Sequence, residues 1–275
     1  MSDFKLQIDE PLELNDEQIH FFRENGFIKL KEVLSKETIE YYGNIISQKV
    51  VQFNRMNLPM DERTTYQKAF LQIFNLWREN EIVNEFVKSK RLAKIASDLL
   101  GTSGVRLYHD QALYKEPSGG ITPWHADQFY WPLDSNKTVT IWIPLQNTPL
   151  NMGPLAFSAK SHNFSFGRDL EISDESEAAL KKALTKEKFD QIVEPFDIGE
   201  VSFHYGWTFH HAGANNTEKV RAVMTIIYMD ENIKLKEPTN KHQLADKEKW
   251  CPGVSSGNII DSPINPVLYS TALND

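Results

Sequence analysis

Two side chains two positions apart, the imidazole of His125 and the carboxylate of Asp127, sit among large aromatics in Trp124-His125-Ala126-Asp127-Gln128-Phe129-Tyr130-Trp131. In an extended strand residues i and i+2 face the same way, so both side chains are expected to reach one point. That point suits a metal ion. Two histidines and a carboxylate on one face of an octahedral ion leave its other positions open, the donor set typical of non-haem Fe(II) oxygenases. A third ligand is then required. Downstream, Phe209-His210-His211-Ala212-Gly213-Ala214-Asn215-Asn216-Thr217-Glu218-Lys219-Val220-Arg221 offers two adjacent histidines followed by an arginine.

Taken together, these segments resemble the phytanoyl-CoA dioxygenase family of Fe(II)/2-oxoglutarate oxygenases. The resemblance covers about Leu14 to Asp230. It is carried by Trp124-His125-x-Asp127, by Trp142 in an apolar strand, by Asn151-Met152-Gly153-Pro154-Leu155, by Ser161-His162 and by the distal block. In that family the distal histidine is followed by Asn at the fifth position, Ser or Thr at the seventh and Arg at the eleventh. Counting from His210 gives Asn215, Thr217 and Arg221, whereas counting from His211 breaks all three matches.

The resemblance therefore implies His125, Asp127 and His210 as Fe(II) ligands. His211 should face the other way along its strand, and His204 lies too far upstream to fit. It also implies 2-oxoglutarate as cosubstrate and O2 as oxidant. Arg221 would anchor the far carboxylate of 2-oxoglutarate, because a guanidinium offers a planar, permanently charged fork that lysine lacks. Gln111 and Lys115 would reach the cosubstrate from a neighbouring strand, and Trp142 would stand beside it. Ala212 occupies a position where the family often has Ser, so one hydroxyl contact to the cosubstrate is expected to be missing.

The reaction implied is hydroxylation of a small molecule with release of succinate and CO2. Related iron halogenases replace the carboxylate ligand by a small residue to admit chloride; Asp127 fills that position here and predicts oxidation instead. Two other readings keep the metal: a zinc site of two histidines and a carboxylate performing hydrolysis, and a non-enzymatic cupin-like binding protein. The zinc reading gives the Asn215, Thr217 and Arg221 spacing no role, and the complete ligand set argues against the binding protein. Family members act on acyl-CoA thioesters, amino-acid-like solutes and natural-product intermediates, and nothing in the sequence selects among these or sets an oligomeric state.

The elements that must position these residues follow from periodicity. The 275 residues suffice for one large domain, and 40% hydrophobic with 25% charged residues is ordinary for a globular protein. Asn15 with Gln18 three residues later predicts a helix start, and Gly26 its end. Phe27-Ile28-Lys29-Leu30 reads as a short strand. Ser35 is placed to cap a second helix whose Ile39, Tyr42, Ile46, Val50 and Phe53 recur at helical spacing. A third helix carries Leu92, Ile95 and Leu99 and stops at Gly101. Between them, Phe70 to Trp77 reads chiefly as core, with Phe74 and Trp77 as alternative pocket walls.

From Val105 the pattern turns to strands: Val105–Lys115, with Gln111 and Lys115 on one face; Thr138–Leu145, with Thr138, Thr140 and Trp142 sharing a face; Ile198–Val201; and Arg221–Met229. Phe129, Tyr130, Trp131 and Trp207 are candidate walls of a substrate pocket. Asp174 to Asp190 reads as a solvated surface helix, with a lid as the functional alternative, and His162 reads as structural.

The expected architecture is mainly β with surrounding helices, a double-stranded β-helix of the cupin-like jelly-roll type. Its class is supported by short strands with turn signals, and its topology by the resemblance. One domain over 1–275 is expected, with helical support over about 15–101, a jelly-roll core over about 105–230 and a C-terminal extension over 231–275 that carries no motif. A net charge of −8 disfavours nucleic acid or an anionic membrane as partner. A single cysteine, Cys251, forbids an internal disulfide, and no apolar run or signal-like start is present, so a cytoplasmic protein is expected.

Overall fold

The computed structural model describes residues 3–273. Eight α-helices flank the sheets: α1 (Asp3–Asp9), α2 (Asp16–Asn25), α3 (Lys36–Phe53), α4 (Thr65–Ala69), α5 (Glu81–Val87), α6 (Lys90–Leu100), α7 (Asp174–Lys186) and α8 (Lys241–Trp250). Local chemistry sets their ends. Asn15 and Gln18 form a reciprocal capping box on α2, and Gly26 ends it in the left-handed region at φ 82°. Ser35 caps α3, whose Ile39, Tyr42, Ile46 and Val50 are buried, with Phe53 partly buried beside them. Gly101 closes α6 after a stripe containing Leu92, Ile95 and Leu99.

Eleven strands follow in chain order: β1 (Phe27–Leu30), β2 (Leu71–Phe74), β3 (Gly104–Lys115), β4 (Thr122–His125), β5 (Thr138–Pro144), β6 (Leu155–Ser158), β7 (Gln191–Val193), β8 (Val201–Tyr205), β9 (His210–Ala212), β10 (Arg221–Asp230) and β11 (Val267–Ser270). They pair antiparallel in two sheets. The larger runs β1-β8-β5-β10-β3-β11, with β2 also on β3, and the smaller runs β4-β9-β6-β7. This is the expected jelly roll with helices around it. Two strands of the helical N-terminal part, β1 and β2, and one of the C-terminal extension, β11, belong to the larger sheet. The main apolar cluster accordingly runs from Ile8 to Ile264.

Three expectations change. The strand foreseen at Ile198 begins only at Val201, because Gly199 turns the chain at φ 93° and a Cβ there would lie 2.2 Å from the Leu34 carbonyl oxygen. Helix α7 is not simply solvated. Its Leu180 and Leu184 are fully buried against Trp124, Ala126 and Phe209, and Glu177 accepts the Trp124 amide at 2.6 Å, so the helix buttresses β4. The segment Phe70 to Trp77 divides: Leu76 and Trp77 are core, whereas Leu71–Phe74 is a partly buried strand.

Candidate active site

His125 ends β4, Ala126 is still extended, and Asp127 opens a short 3-10 turn, Asp127–Tyr130. The two side chains converge although Asp127 has already left the strand. His210 starts β9, whose register sets it directly across from His125. One donor atom from each of the three lies within 4.8 Å of the others. The Nε2 atoms of His125 and His210 stand 3.6 and 3.7 Å from the same carboxylate oxygen, Asp127 Oδ1. His125 Nδ1 bonds the Pro123 carbonyl at 2.7 Å, and His210 Nδ1 the Thr208 carbonyl at 2.9 Å. Each bond assigns the proton to Nδ1 and leaves the Nε2 lone pair for a metal.

The electrostatics agree with that use. Burial lowers the pKa of both histidines, so they are neutral near pH 7. Burial alone would raise Asp127, but the surrounding imidazoles, His210 foremost, hold its carboxyl well below the usual range. Two neutral nitrogens and a carboxylate oxygen fit a divalent iron. His211, next along the strand, turns away and stacks on Trp124 with ring centroids 4.1 Å apart.

The second oxygen of Asp127 is held by residues that the sequence reading passed over. Thr140 Oγ1 donates to Oδ2 at 3.1 Å, and His204 Nε2 lies 3.2 Å from the same atom. Thr140 and His204 are register partners on β5 and β8. His204 was set aside because it does not fit the ligand spacing, yet it is 1% exposed and its ring lies 4.3 Å from that of His210. The available signal was alternation, since Thr140 shares a strand face with Trp142.

Arg221 opens β10, is 2% exposed and faces the same cavity, of about 490 Å³, as the metal-binding trio. One terminal nitrogen donates to the Gly153 carbonyl, while its Nε has no partner. Among the described residues no carboxylate pairs with it, and burial lowers its pKa from 12.5 to about 9. A buried guanidinium without a counter-ion is costly and is a fit for an incoming carboxylate. The indole of Trp142 lies beside it, 5.6 Å from the guanidinium carbon. The surrounding motif is a brace. Asn215 Nδ2 donates to the carbonyls of Lys115, Glu116 and Lys219, and Thr217 Oγ1 donates to Asn215 Oδ1 at 2.7 Å. Gly153, at φ 71°, packs so closely on Gly213 that a Cβ would lie 2.3 Å from its carbonyl oxygen.

The other candidates separate. Gln111, Trp142, Phe74 and Trp131 line the cavity with the trio. Lys115 does not. It is fully buried, bonds the Gly120 carbonyl and approaches Thr122, and burial followed by Arg221 lowers its pKa to about 6. Phe129 and Trp207 line an adjoining surface groove, which shares Trp131, Glu171 and His242 with the cavity, together with Arg168, whose guanidinium lies over Trp207 at 4.6 Å; the 3-10 turn opened by Asp127 carries Phe129 toward that groove. Trp77 is core, its indole bonded to Asn75. Helix α8 supplies a wall that the sequence reading missed altogether, through His242, Ala245, Asp246, Lys249 and Trp250.

The family profile described as Phytanoyl-CoA dioxygenase (PhyH) matches residues 22–223. A curated relative, the probable alpha-ketoglutarate-dependent hypophosphite dioxygenase of Stutzerimonas stutzeri, is 22% identical over 227 residues, covering 77% of this chain and 77% of its own. Among solved structures, the non-heme alpha ketoglutarate dependent carbocyclase SnoK from nogalamycin biosynthesis superposes with a TM-score of 0.75 at 22% identity, over 94% of this chain and 100% of its own. The epimerase SnoN, in complex with Fe3+, alpha ketoglutarate and nogalamycin RO, gives 0.77 at 22%, over 92% and 98%. EctD from S. alaskensis, with 2-oxoglutarate and 5-hydroxyectoine, gives 0.68 at 17%, over 94% and 90%. At these identities the likeness to solved structures establishes the fold.

Proposed function

Because the chain belongs to the phytanoyl-CoA dioxygenase family, we propose that it is an Fe(II)- and 2-oxoglutarate-dependent dioxygenase that hydroxylates a small organic molecule. The balanced reaction is substrate C–H, O2 and 2-oxoglutarate giving substrate C–OH, succinate and CO2. The observation that carries this reading is the meeting, in one cavity, of the His125, Asp127 and His210 donors with the unpaired guanidinium of Arg221. A zinc hydrolase has no use for that arginine. The reading takes 1–275 as a single oxygenase domain, in keeping with β1, β2 and β11 all joining the larger sheet.

When bound, iron and 2-oxoglutarate supply oxidative decarboxylation and the transfer of one oxygen atom to substrate. The chain's own part is positioning. His125, Asp127 and His210 would hold the metal through one nitrogen, one oxygen and one nitrogen. Thr140 and His204 occupy Asp127 Oδ2, which would leave Oδ1 as the oxygen offered to the metal. Arg221 would pair with the distal carboxylate of 2-oxoglutarate, with Trp142 beside the guanidinium as a wall. The two buried histidines, the partly buried Asp127 and the aromatic lining limit water near the reacting centre.

The test is succinate formation from 2-oxoglutarate with Fe(II), O2 and ascorbate, together with the visible Fe(II)–2-oxoglutarate charge-transfer band under anaerobic conditions. Wild type and His211→Ala should both show the band; His125→Ala, Asp127→Ala and His210→Ala should lack it. A band that survives in His210→Ala and vanishes in His211→Ala would overturn the assignment.

A further inference from the structure

Helix α8 lies beyond residues 22–223, the part matched by the family profile, yet it presents a chemically rich face to the cavity. His242, Ala245, Asp246, Lys249 and Trp250 recur at i, i+3, i+4, i+7 and i+8, one stripe of a helix. The stripe mixes acid, base and aromatic, which packing alone does not require. The helix is also tied to the metal-binding segment, since Gln243 Nε2 donates to the Phe129 carbonyl at 3.1 Å within the turn opened by Asp127.

The cavity is suited to a particular kind of guest. Its volume of about 490 Å³ lies in the range of pockets for drug-sized organic ligands, roughly 300–1,000 Å³, and exceeds the needs of 2-oxoglutarate plus a few-atom ion. Ring surfaces come from Phe70, Phe74, Tyr130, Trp131 and Trp250, and the rings of Phe74 and Trp250 lie 5.0 Å apart. The charge balance works against a small oxyanion. The two charges of bound Fe(II) would be offset by the two carboxylates of 2-oxoglutarate; Asp127 and Asp246 line the cavity, Glu171 is already paired with His242 and Lys241, and Arg221 is committed to the cosubstrate. The remaining cation, Lys249, is exposed and rests 4.4 Å from the ring centroids of both Phe74 and Trp250. Asp246 is an adaptable polar group: burial raises its carboxyl to about 7, and the Tyr108 hydroxyl lies 3.2 Å from it.

We infer that the substrate is a ring-bearing organic molecule with a neutral hydrogen-bonding substituent, its ring against Phe74 and Trp250 and its substituent at Asp246, with α8 as the specificity element. This rests on the oxygenase reading above, and it separates this chain from the hypophosphite named for its curated relative.

The experiment uses the anaerobic full-length protein loaded with Fe(II) and 2-oxoglutarate. It is titrated with 2,7-dihydroxynaphthalene as a neutral ring probe, naphthalene-2,7-disulfonate as its anionic counterpart, and hypophosphite as the small oxyanion. Binding is read by tryptophan fluorescence and by perturbation of the charge-transfer band. The diol should bind, the disulfonate should bind at least tenfold more weakly, and hypophosphite should change neither signal. Asp246→Ala and Phe74→Ala should each weaken the diol about tenfold while leaving the 2-oxoglutarate band intact. Trp250→Ala is expected to do the same, but Trp250 is also core, so the first two variants decide if it fails to fold. Hypophosphite binding without diol binding, no diol binding, or equal diol binding in wild type and variants overturns the inference. Loss of the 2-oxoglutarate band in wild type would instead remove the oxygenase reading on which it rests.

Discussion

At the scale of single residues, the site is defined by what its polar atoms lack or share. Arg221 is buried with a bare Nε and no carboxylate partner among the described residues. Breaking a buried charge pair typically costs about 3–5 kcal/mol, and at about 1.4 kcal/mol per tenfold that is on the order of a hundredfold or more in affinity. Arg221→Met should therefore keep Fe(II) but lose at least a hundredfold in 2-oxoglutarate affinity, measured by the charge-transfer band. Ligand binding to the native state raises its stability, so 2-oxoglutarate should raise the melting temperature of wild type and not of the variant. Asp127 poses the complementary question, because its two oxygens have different tasks. Removing both donors to Oδ2 with Thr140→Val and His204→Leu frees the carboxylate to rotate. Loss of such supporting bonds typically costs 10–100-fold in metal affinity. The double variant should show that loss together with a shifted band, whereas His204→Gln, which retains a donor, should recover most of it. An unchanged band and metal affinity in the double variant would rule out the clamp.

At the scale of elements, a buried acid fastens the strand that carries Gln111. Asp110, on β3, is fully buried and accepts the amides of Leu76 and Trp77 at 3.1 and 3.2 Å, which pins the segment after β2. Burial raises its pKa from 3.8 to about 7, against the pull of those two amides. Between these values the unfolded chain has lost the proton and the folded chain still holds it. Stability therefore falls as pH rises from about 4 to 7. Asp110→Asn removes that slope, so its stability relative to wild type should rise over the same window, by at most about 4 kcal/mol at 1.36 kcal/mol per pH unit. Urea unfolding at pH 4.5 and 7.5 measures it. A difference that is flat with pH would show that Asp110 is already ionised in the folded protein. The same β3 strand ends at Lys115, whose carbonyl is gripped by Asn215, so the loop between β9 and β10 is tied to the strand next to Arg221.

At the scale of the whole molecule, the C-terminal part is both wall and core. Trp250, Cys251, Ile260 and Ile264 are buried in the main apolar cluster, Asn265 Nδ2 bonds the carbonyls of Leu107 and Tyr108, and β11 pairs with β3. Burying a large apolar side chain is worth about 1.5–3 kcal/mol, and typical domains are stable by only 5–15 kcal/mol. Truncation after Asp230 should therefore abolish cooperative unfolding rather than merely open the cavity. Calorimetry of the truncated chain checks this; a two-state transition near that of wild type would show the extension to be separable. Among the described residues no helix is long and apolar enough to cross a membrane.

The sequence by itself determined whatever depends on short spacing. The capping box at Asn15 and Gln18 and the stop at Gly26 are counts along the chain, and the structure forms both; the choice of His210 over its neighbour and of Arg221 is a count set against the resembled family's pattern, and the structure brings both to one cavity with His125 and Asp127. Alternation grouped Gln111 with Lys115 and Trp142 with Thr140 on their strand faces, the resemblance implied that these faces meet the cosubstrate, and Gln111, Trp142 and Thr140 do line the cavity. Tertiary structure alone decided what depends on meetings across the fold. His204 reaches Asp127 only because β5 and β8 lie side by side, and Lys115 misses the cavity because Gly120 and Thr122 hold its amino group. Phe129 turns into the adjoining groove because Asp127 opens a 3-10 turn, and Trp207 reaches that groove from the loop between β8 and β9. Helix α8 escaped notice because its inward stripe is mixed: His242, Asp246 and Lys249 interrupt Ala245 and Trp250, so a periodicity search weighted to apolar residues has little signal to detect there.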